Sequence, residues 1–415
     1  MLYENDRPIR AYAGEAKPPR RVLIIVENLP VPFDRRVWQE ATTLRAAGYE
    51  VSIISPKRDG YTRSYEVLNG VHVYRHPLPF EADGALGYLA EYLTALFWEL
   101  VLTVRVACTR GFDVIHACNP PDLIFLIALP FKLLGKKFVF DHHDINPELY
   151  EAKFNKRGFW YRTLCWLERL TYRTADRAIA TNESYRRIAI ERGGKAPSEV
   201  AIVRSGPSLR RMKKLPPEPK WRFGKKFLVG YVGVIGKQEG VDLLLAAARH
   251  IVHTRGRRDV HFTLVGGGTE LDRLAQLRGE LGLDDYVTMT GRLGDQEMLE
   301  VLNTADVCVN PDVVNEMNDK STMNKIMEYM ALGKPIVQFE MTEGRVSAGG
   351  ASLYARPNDA VDFGEKILEL LDDPERRASM GAIGRCRIEN ELGWDHQAPK
   401  LVALYDELFE GLGKR

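Results

Sequence analysis

The segment Asn318-Asp-Lys-Ser-Thr-Met-Asn-Lys-Ile-Met-Glu-Tyr-Met-Ala-Leu-Gly-Lys-Pro335 gathers more residues suited to chemistry than any other stretch of this chain. Met323, Ile326, Met327 and Met330 recur at helical spacing, Ser321 is a suitable N-cap, Gly333 suits the position just past a helix end, and Pro335 prevents continuation. The start of such a helix offers unpaired backbone N–H groups and a partial positive charge. Lys320 and Lys325 flank it, and together these features suit a diphosphate. Glu328 follows about 5 Å further along by helical rise, where a carboxylate accepts hydrogen bonds from both hydroxyls of a ribose. On composition alone the same charges also read as the solvated outer face of a surface helix, with Lys325 and Glu328 an i,i+3 pair.

Three further clusters carry polar or conformationally special residues. Asp141-His-His-Asp144 follows an apolar run, at a strand end where a side chain enters a ligand crevice; the same residues could hold a metal or be structural. Asp34-Arg-Arg36 follows Pro30 and Pro32 and opens a helix, so it reads either as a contact to acceptor or phosphate or as a charged helix start. Gly266-Gly-Gly268 lies between a strand and a helix and allows a ligand close to the backbone; Gly206 and Gly233 read the same way or as tight turns.

The elements that must position these residues alternate in type. In the first half, residues 22–26, 50–55, 114–117 and 138–141 read as strands, and 37–47 and 123–134 as helices. Residues 206–226, rich in Pro, Lys and Arg and without period, read as a linker. Strands at 227–232, 261–265, 286–290 and 307–309 then alternate with helices at 241–250, 270–281 and 296–303. The expectation is an α/β protein of two Rossmann-like domains, 21–205 and 227–390, facing each other across a cleft, with ligands at the carboxyl ends of the strands. A disordered leader at 1–20 precedes them, and a C-terminal helical segment at 391–415, with Trp394, Leu401, Leu404, Tyr405 and Leu408 in one stripe, could pack back on the N-terminal domain.

Bulk properties exclude several classes. A net charge of +2 carries no signature of nucleic-acid binding, so no such partner is expected. The five cysteines form no C-x-x-C pair, which fits a reducing, cytoplasmic setting. Residues 85–107 are interrupted by Glu91, Glu99 and Arg105, and 123–134 are too few for a bilayer needing about 20 apolar residues. Both are expected as buried helices. Residues 153–177 interleave Lys156, Arg157, Arg162, Arg169 and Arg173 with Phe159, Trp160 and Trp166; this suits a helix on anionic headgroups at the inner face of a membrane, or an ordinary domain helix with its aromatics in the core.

Taken in order, Ala47-Gly-Tyr-Glu-Val51, Phe140-Asp-His-His-Asp144, Val203-Arg-Ser-Gly206, Val232-Gly-Val-Ile-Gly-Lys237, Leu264-Val-Gly-Gly-Gly268 and Glu328-Tyr-Met-Ala-Leu-Gly-Lys-Pro335 resemble the retaining GT-B glycosyltransferases of family 4. The resemblance implies a nucleotide-sugar donor on the C-terminal domain, a glycan or lipid-linked acceptor on the N-terminal domain, retention of configuration, and no metal or other cofactor. It makes a UDP-sugar the first expectation and a GDP-sugar the second, with cell-surface polysaccharide or glycolipid assembly the setting. It matches His143 to the histidine near the reacting sugar. The family's earlier glutamate, eight residues before the match to Glu328, is Lys320 here, which leaves Asp319 and Glu316 as substitutes. Its two diphosphate cations correspond to Val234 and Glu239, so Lys237, Arg292, Lys320 and Lys325 are expected to share that task.

The expected site therefore comprises His143, Asp319 and Glu316 at the reacting sugar. Gly233, Lys237, Gly266, Gly267, Arg292, Lys320, Lys325 and Glu328 would line the donor, and Asp34, Arg36 and Asp144 the acceptor. Two rival readings are a nucleotide-sugar epimerase or hydrolase of the same fold and a non-catalytic sugar-nucleotide-binding subunit.

Overall fold

The computed structural model describes residues 20–58, 60–77 and 84–410, the side chains of 84–92 excepted. The expected leader lies outside the described residues, apart from Arg20. The chain divides into two compact units, one running to Val203 and resuming at Ala398, the other Arg204–Gln397.

The first unit is built on β1 (Arg21–Ile25), α1 (Arg35–Ala46), β2 (Glu50–Pro56), β3 (Tyr65–Leu68), β4 (Val71–His76), α2 (Gly84–Thr109), β5 (Val114–Cys118), α3 (Phe125–Leu133) and β6 (Lys137–His142). There follow α4 (Asn146–Phe154), α5 (Phe159–Thr174), β7 (Arg177–Ala180), α6 (Glu183–Glu191) and β8 (Val200–Ile202). The sheet order is β3-β4-β2-β1-β5-β6-β7-β8, parallel except where β3 pairs antiparallel with β4. Ile24 registers with Ile53 on one side and His116 on the other, so the apolar run of β1 is central and covered on both faces. Right-handed crossovers put α1 on one face and α2, α3, α5 and α6 on the other. The pleat alternates accordingly: Asp141 meets Arg36 of α1, and His142 meets Tyr172 of α5. The β3–β4 hairpin turns through Asn69 and Gly70, both at positive φ, an Asn-Gly signal that the strand-helix alternation obscured.

The second unit contains β9 (Phe227–Val232), α7 (Val241–Arg249), β10 (Val260–Val265), α8 (Leu271–Glu280), β11 (Val287–Gly291), α9 (Asp295–Thr304), β12 (Val307–Asn310), α10 (Glu316–Lys320) and α11 (Asn324–Ala331). It continues with β13 (Ile336–Phe339), α12 (Thr342–Ala348), β14 (Ser352–Ala355), α13 (Ala360–Asp372), α14 (Pro374–Arg387) and the first turn of α15 (Trp394–Glu410). Its sheet is wholly parallel in the order β11-β10-β9-β12-β13-β14.

Two expectations need correction. Residues 206–226 are not a linker but part of the second unit: Met212 is fully buried, Leu209, Leu215 and Trp221 pack against the same core cluster as Leu302 and Met330, and Arg222 pairs with Asp306. Its apolar anchors are spaced too irregularly to show a helix or strand period. The C-terminal helix crosses from one unit to the other at Ala398, after which Leu401, Leu404 and Tyr405 are buried in the first unit and the Tyr405 hydroxyl meets His116 Nδ1 at 2.7 Å. Residues 85–107 lie in α2 and most of 123–134 in α3, but among the described side chains each helix is buried on one side only: Leu102, Val106, Ile127 and Phe131 are buried, whereas Phe97 is 59% and Leu133 82% exposed. Among the described residues no helix is long and apolar enough to cross a membrane.

Candidate functional site

In the second unit the chain winds outward in both directions from β9 and β12, so the topological switch point lies at the carboxyl ends of these two strands. Gly233 continues β9 there, and Asn310 ends β12 with Asp312 just beyond it. The glycine run 266–268 is explained by this packing. A Cβ on Gly266, whose φ is +153°, would stand 1.7 Å from the Gly233 carbonyl oxygen, and one on Gly268 would stand 2.3 Å from that of Ile235. The close neighbour of Gly266 and Gly268 is thus the chain's own backbone rather than a ligand. Gly267 faces only the flexible side chain of Arg292.

α11 enters the same crevice. Its N-cap is Met323, not Ser321, whose hydroxyl closes the preceding helix by donating to the Met317 carbonyl at 2.7 Å. The N-cap residue itself makes no side-chain bond to the start of α11. Tyr329 fixes its rotation, the hydroxyl accepting from Val232 N at 2.9 Å and donating to Val309 O at 3.2 Å. That rotation turns Lys325 inward, where its Nζ lies 2.6 Å from Asp312 Oδ1 and 5.1 Å from the centre of the Tyr231 ring. Burial opposes the charge on Lys325, but the carboxylate of Asp312 and the neighbouring Tyr231 and Glu239 outweigh it and hold the ammonium above the ordinary lysine range. Burial pushes the Asp312 and Glu239 carboxyls upward against Lys325. We take the pair as ionised, because 2.6 Å between nitrogen and oxygen suits a charge-assisted bond.

Glu328 lies one turn on, with Oε1 3.0 Å from an Arg211 nitrogen, and Arg211 also binds Asp295 at 3.1 Å. Arg211 was hidden in the supposed linker; only the burial of Met212 beside it reveals that this turn belongs to the site.

The remaining donor and sugar candidates are dispersed. Lys320 is tied to Glu316 at 2.6 Å within the five-residue α10, so its charge is partly spent there. Asp319 does not turn to a ligand: its two oxygens accept from the Thr342 amide (2.7 Å) and hydroxyl (2.9 Å) at the start of α12, an assignment that helix-start chemistry favours. Lys237 and Arg292 are exposed, as is Val234 in the place of a family cation.

In the first unit the switch point lies at the ends of β1 and β5. Just beyond, Asn119 Oδ1 accepts from the amides of His143 (2.7 Å) and Asp144 (3.2 Å), and its Nδ2 donates to the Asp144 carbonyl, fixing the loop after β6. His143 Nε2 lies 2.5 Å from Asp141 Oδ2 and 2.9 Å from Arg36 Nε. One ring nitrogen cannot both donate and accept; burial opposes the imidazolium, but Asp141 raises its pKa, which assigns the proton to the bond with Asp141. Burial works against the charge on Asp141 too, yet Arg36 and His143 hold its carboxyl well below the usual range. Burial raises the half-buried carboxyl of Asp144.

Arg36, expected to meet acceptor or phosphate, is buried and paired with Asp141 at 2.8 Å and Glu40 at 3.1 Å, and donates to the Val203 carbonyl at 2.8 Å. Asp34 caps α1, accepting from Val37 N at 3.1 Å. His142 is structural, hydrogen-bonded to Tyr172 at 2.7 Å. Two sets, His116–Cys118–Asp141 and Glu40–Asp141–His143, bring ligand atoms within 4.8 Å of one another. The Arg36 guanidinium already meets Glu40 and Asp141, so a cation there would face an adjacent positive charge.

The two units match two family models separately. Residues 34–206 match a glycosyl transferase 4-like domain and residues 226–373 the glycosyl transferases group 1. A 2-deoxystreptamine glucosyltransferase from Streptomyces kanamyceticus is 24% identical over 362 residues, 83% of this chain and 89% of its own. Among solved structures, a sucrose-phosphate synthase from Thermosynechococcus elongatus superposes with a TM-score of 0.77 at 19% identity, covering 94% of this chain and 100% of its own. The Anabaena protein HepE in complex with UDP-glucose does so with 0.69 at 16% identity, over 95% of this chain and 100% of its own. With both halves matched, the strand orders observed and nearly the whole length superposed, the chain belongs to the group 1 glycosyltransferases and has the GT-B fold.

Proposed function

We propose that this chain moves a sugar from a nucleotide-sugar donor on the second unit to a glycan or lipid-linked acceptor on the first, retaining the anomeric configuration and using no metal ion. The observation that carries the reading is the buried Lys325 at the start of α11, one turn ahead of Glu328. A leaving diphosphate would meet Lys325 and the helix amides, with Lys237 and Arg292 reaching it from the loops after β9 and β11. These charges do the work a metal would otherwise do. Glu328 takes the ribose hydroxyls with Arg211 setting its orientation. UDP is proposed first, the nucleotide of the HepE complex, and GDP second.

At the sugar, Glu316 on exposed α10 takes the role of the missing family glutamate, since Asp319 is committed elsewhere. His143, steadied by Asp141 and Asn119, is assigned the sugar-contact role and Asp144 the acceptor. Most of the rate then comes from positioning and charge stabilisation. Assembly of a cell-surface polysaccharide or glycolipid at the inner face of the cytoplasmic membrane is the proposed setting.

Calorimetry against UDP, GDP and their sugars should give one nucleotide that binds and a Glu328→Ala chain that does not. Transfer to acceptors from a membrane extract should then give a product of the donor's anomeric configuration, unaffected by EDTA. An inverted product refutes retention, loss of turnover in EDTA refutes metal independence, and epimerised donor without acceptor refutes transfer as the main reaction.

A further inference from the structure

Helices α2, α3 and α5 share one face of the first sheet, and each turns large apolar side chains to solvent; α5 is moreover inside out for a helix of a water-exposed domain. α5 turns Glu168, Thr171 and Tyr172 inward and Phe159, Trp160 and Trp166 outward, with Phe159 74% exposed. The inward polar groups are satisfied locally: Glu168 binds Arg192, and the Thr171 hydroxyl donates to the Asp122 carbonyl at 2.5 Å. α2 buries Leu96, Leu102 and Val106 together with Glu99 and Thr103, yet exposes Phe97, Val101 and Val104. α3, between them, is apolar on both sides, with Leu126, Leu129 and Leu133 exposed opposite Ile127, Ala128 and Phe131. Scattered exposed apolar residues need no explanation, but three neighbouring helices with this pattern mark an interaction surface.

Charge identifies the partner. Along α5, Arg162, Trp166, Arg169 and Arg173 follow one another at i+4, i+3 and i+4, forming an exposed stripe that continues from Phe159. No carboxylate between residues 125 and 175 is exposed: Asp141, Glu148 and Glu168 are buried, Asp144 and Glu151 half-buried. The only acid of α2 from residue 93 onward, Glu99, is also buried. A face of leucines and aromatics framed by the exposed arginines of α5 fits an anionic surface with an apolar interior. A second copy of the chain would bring like charges together.

We propose that the α2–α3–α5 face rests on a bilayer containing anionic lipids, the leucines of α3 entering the acyl boundary and the arginines of α5 meeting headgroup phosphates. The inference goes beyond the transfer reaction and is tested without donor or acceptor. Failure of vesicle binding therefore leaves the transferase reading intact, and failure of transfer leaves this one intact.

The test is flotation of the full chain with vesicles of phosphatidylcholine alone and with vesicles also carrying phosphatidylglycerol. Binding to the anionic vesicles, weakened by added salt, is expected. The triple change Arg162→Gln, Arg169→Gln, Arg173→Gln should lower it by about fivefold per arginine, roughly a hundredfold in all. Leu133→Ser with Leu134→Ser should lower it at least about tenfold. Circular dichroism confirms that the variants fold. No binding, equal binding to neutral vesicles, or a dimer in lipid-free solution that the leucine changes dissolve would each overturn the proposal.

Discussion

Replacing Lys325 by methionine separates the two tasks the structure gives this residue. The ammonium is 12% exposed and its partner Asp312 2%, at 2.6 Å, and Asp312 Oδ2 makes no other hydrogen bond among the described residues. Removing one member of a buried ion pair costs about 3–5 kcal/mol. Burial already drives the Asp312 carboxyl toward its protonated form, which lets the variant relieve part of the penalty and favours the lower end. About 3 kcal/mol in a unit of this size lowers Tm by about 6–12 °C. Nucleotide affinity should fall independently by about 1.5–3 kcal/mol, the worth of a hydrogen bond to a charged group. The double change Lys325→Met, Asp312→Leu removes the stranded carboxyl, so differential scanning calorimetry should show Tm recovering while titration calorimetry shows nucleotide binding still weak. If the double variant binds nucleotide as well as the original chain, Lys325 only neutralises Asp312 and the phosphate role is wrong.

Three other changes probe the network around the sites. Arg211→Ala should weaken nucleotide binding by about 1 kcal/mol, discounted for the exposure of the Asp295 partner, with little change in Tm; tighter binding would mean that Arg211 competes with the ribose for Glu328. Burial lifts the Glu40 carboxyl from 4.5 to about 7, so the folded state holds this proton more tightly than the unfolded chain. Its stabilising contribution is complete below pH 4.5 and is lost as pH rises to about 7, by up to roughly 3 kcal/mol. The stability of a Glu40→Gln chain should accordingly drop less than that of the original between pH 5 and 8, and parallel curves would contradict the assignment. Gly266→Ala places a methyl in the Gly233 carbonyl at positive φ and should cost more than about 3 kcal/mol, whereas Gly267→Ala meets only Arg292 and should be mild; equal effects on chemical denaturation would show that the backbone packing is misread.

Local pattern was enough for much of this protein. Apolar runs such as residues 22–26 and 227–232 announce central parallel strands because both faces must be covered, and Met323–Met330 announces a helix because its stripe repeats at 3.6 residues. The hairpin at Asn69–Gly70 carries its own turn signal, but the surrounding strand-helix alternation obscured it. The charged candidates were harder, because a side chain's partner is set by residues far away in sequence. Asp319 could not be seen to cap a helix 23 residues on, nor Arg36 to lie against Asp141, 105 residues away.

By itself, then, the sequence determined two α/β units, the helix bearing Lys325 and Glu328, and the loop bearing His143, since periodicity, turn residues and helix-end electrostatics are local properties. The packing of the elements decided that 206–226 belongs to the second unit and brings Arg211 to Glu328, that Asp319 and Arg36 are spent on the protein's own groups, and that α5 turns its aromatic side outward while α2 exposes apolar residues as well as burying them. Burial and partner choice are decided by which elements pack together, and no single stretch of sequence contains that information.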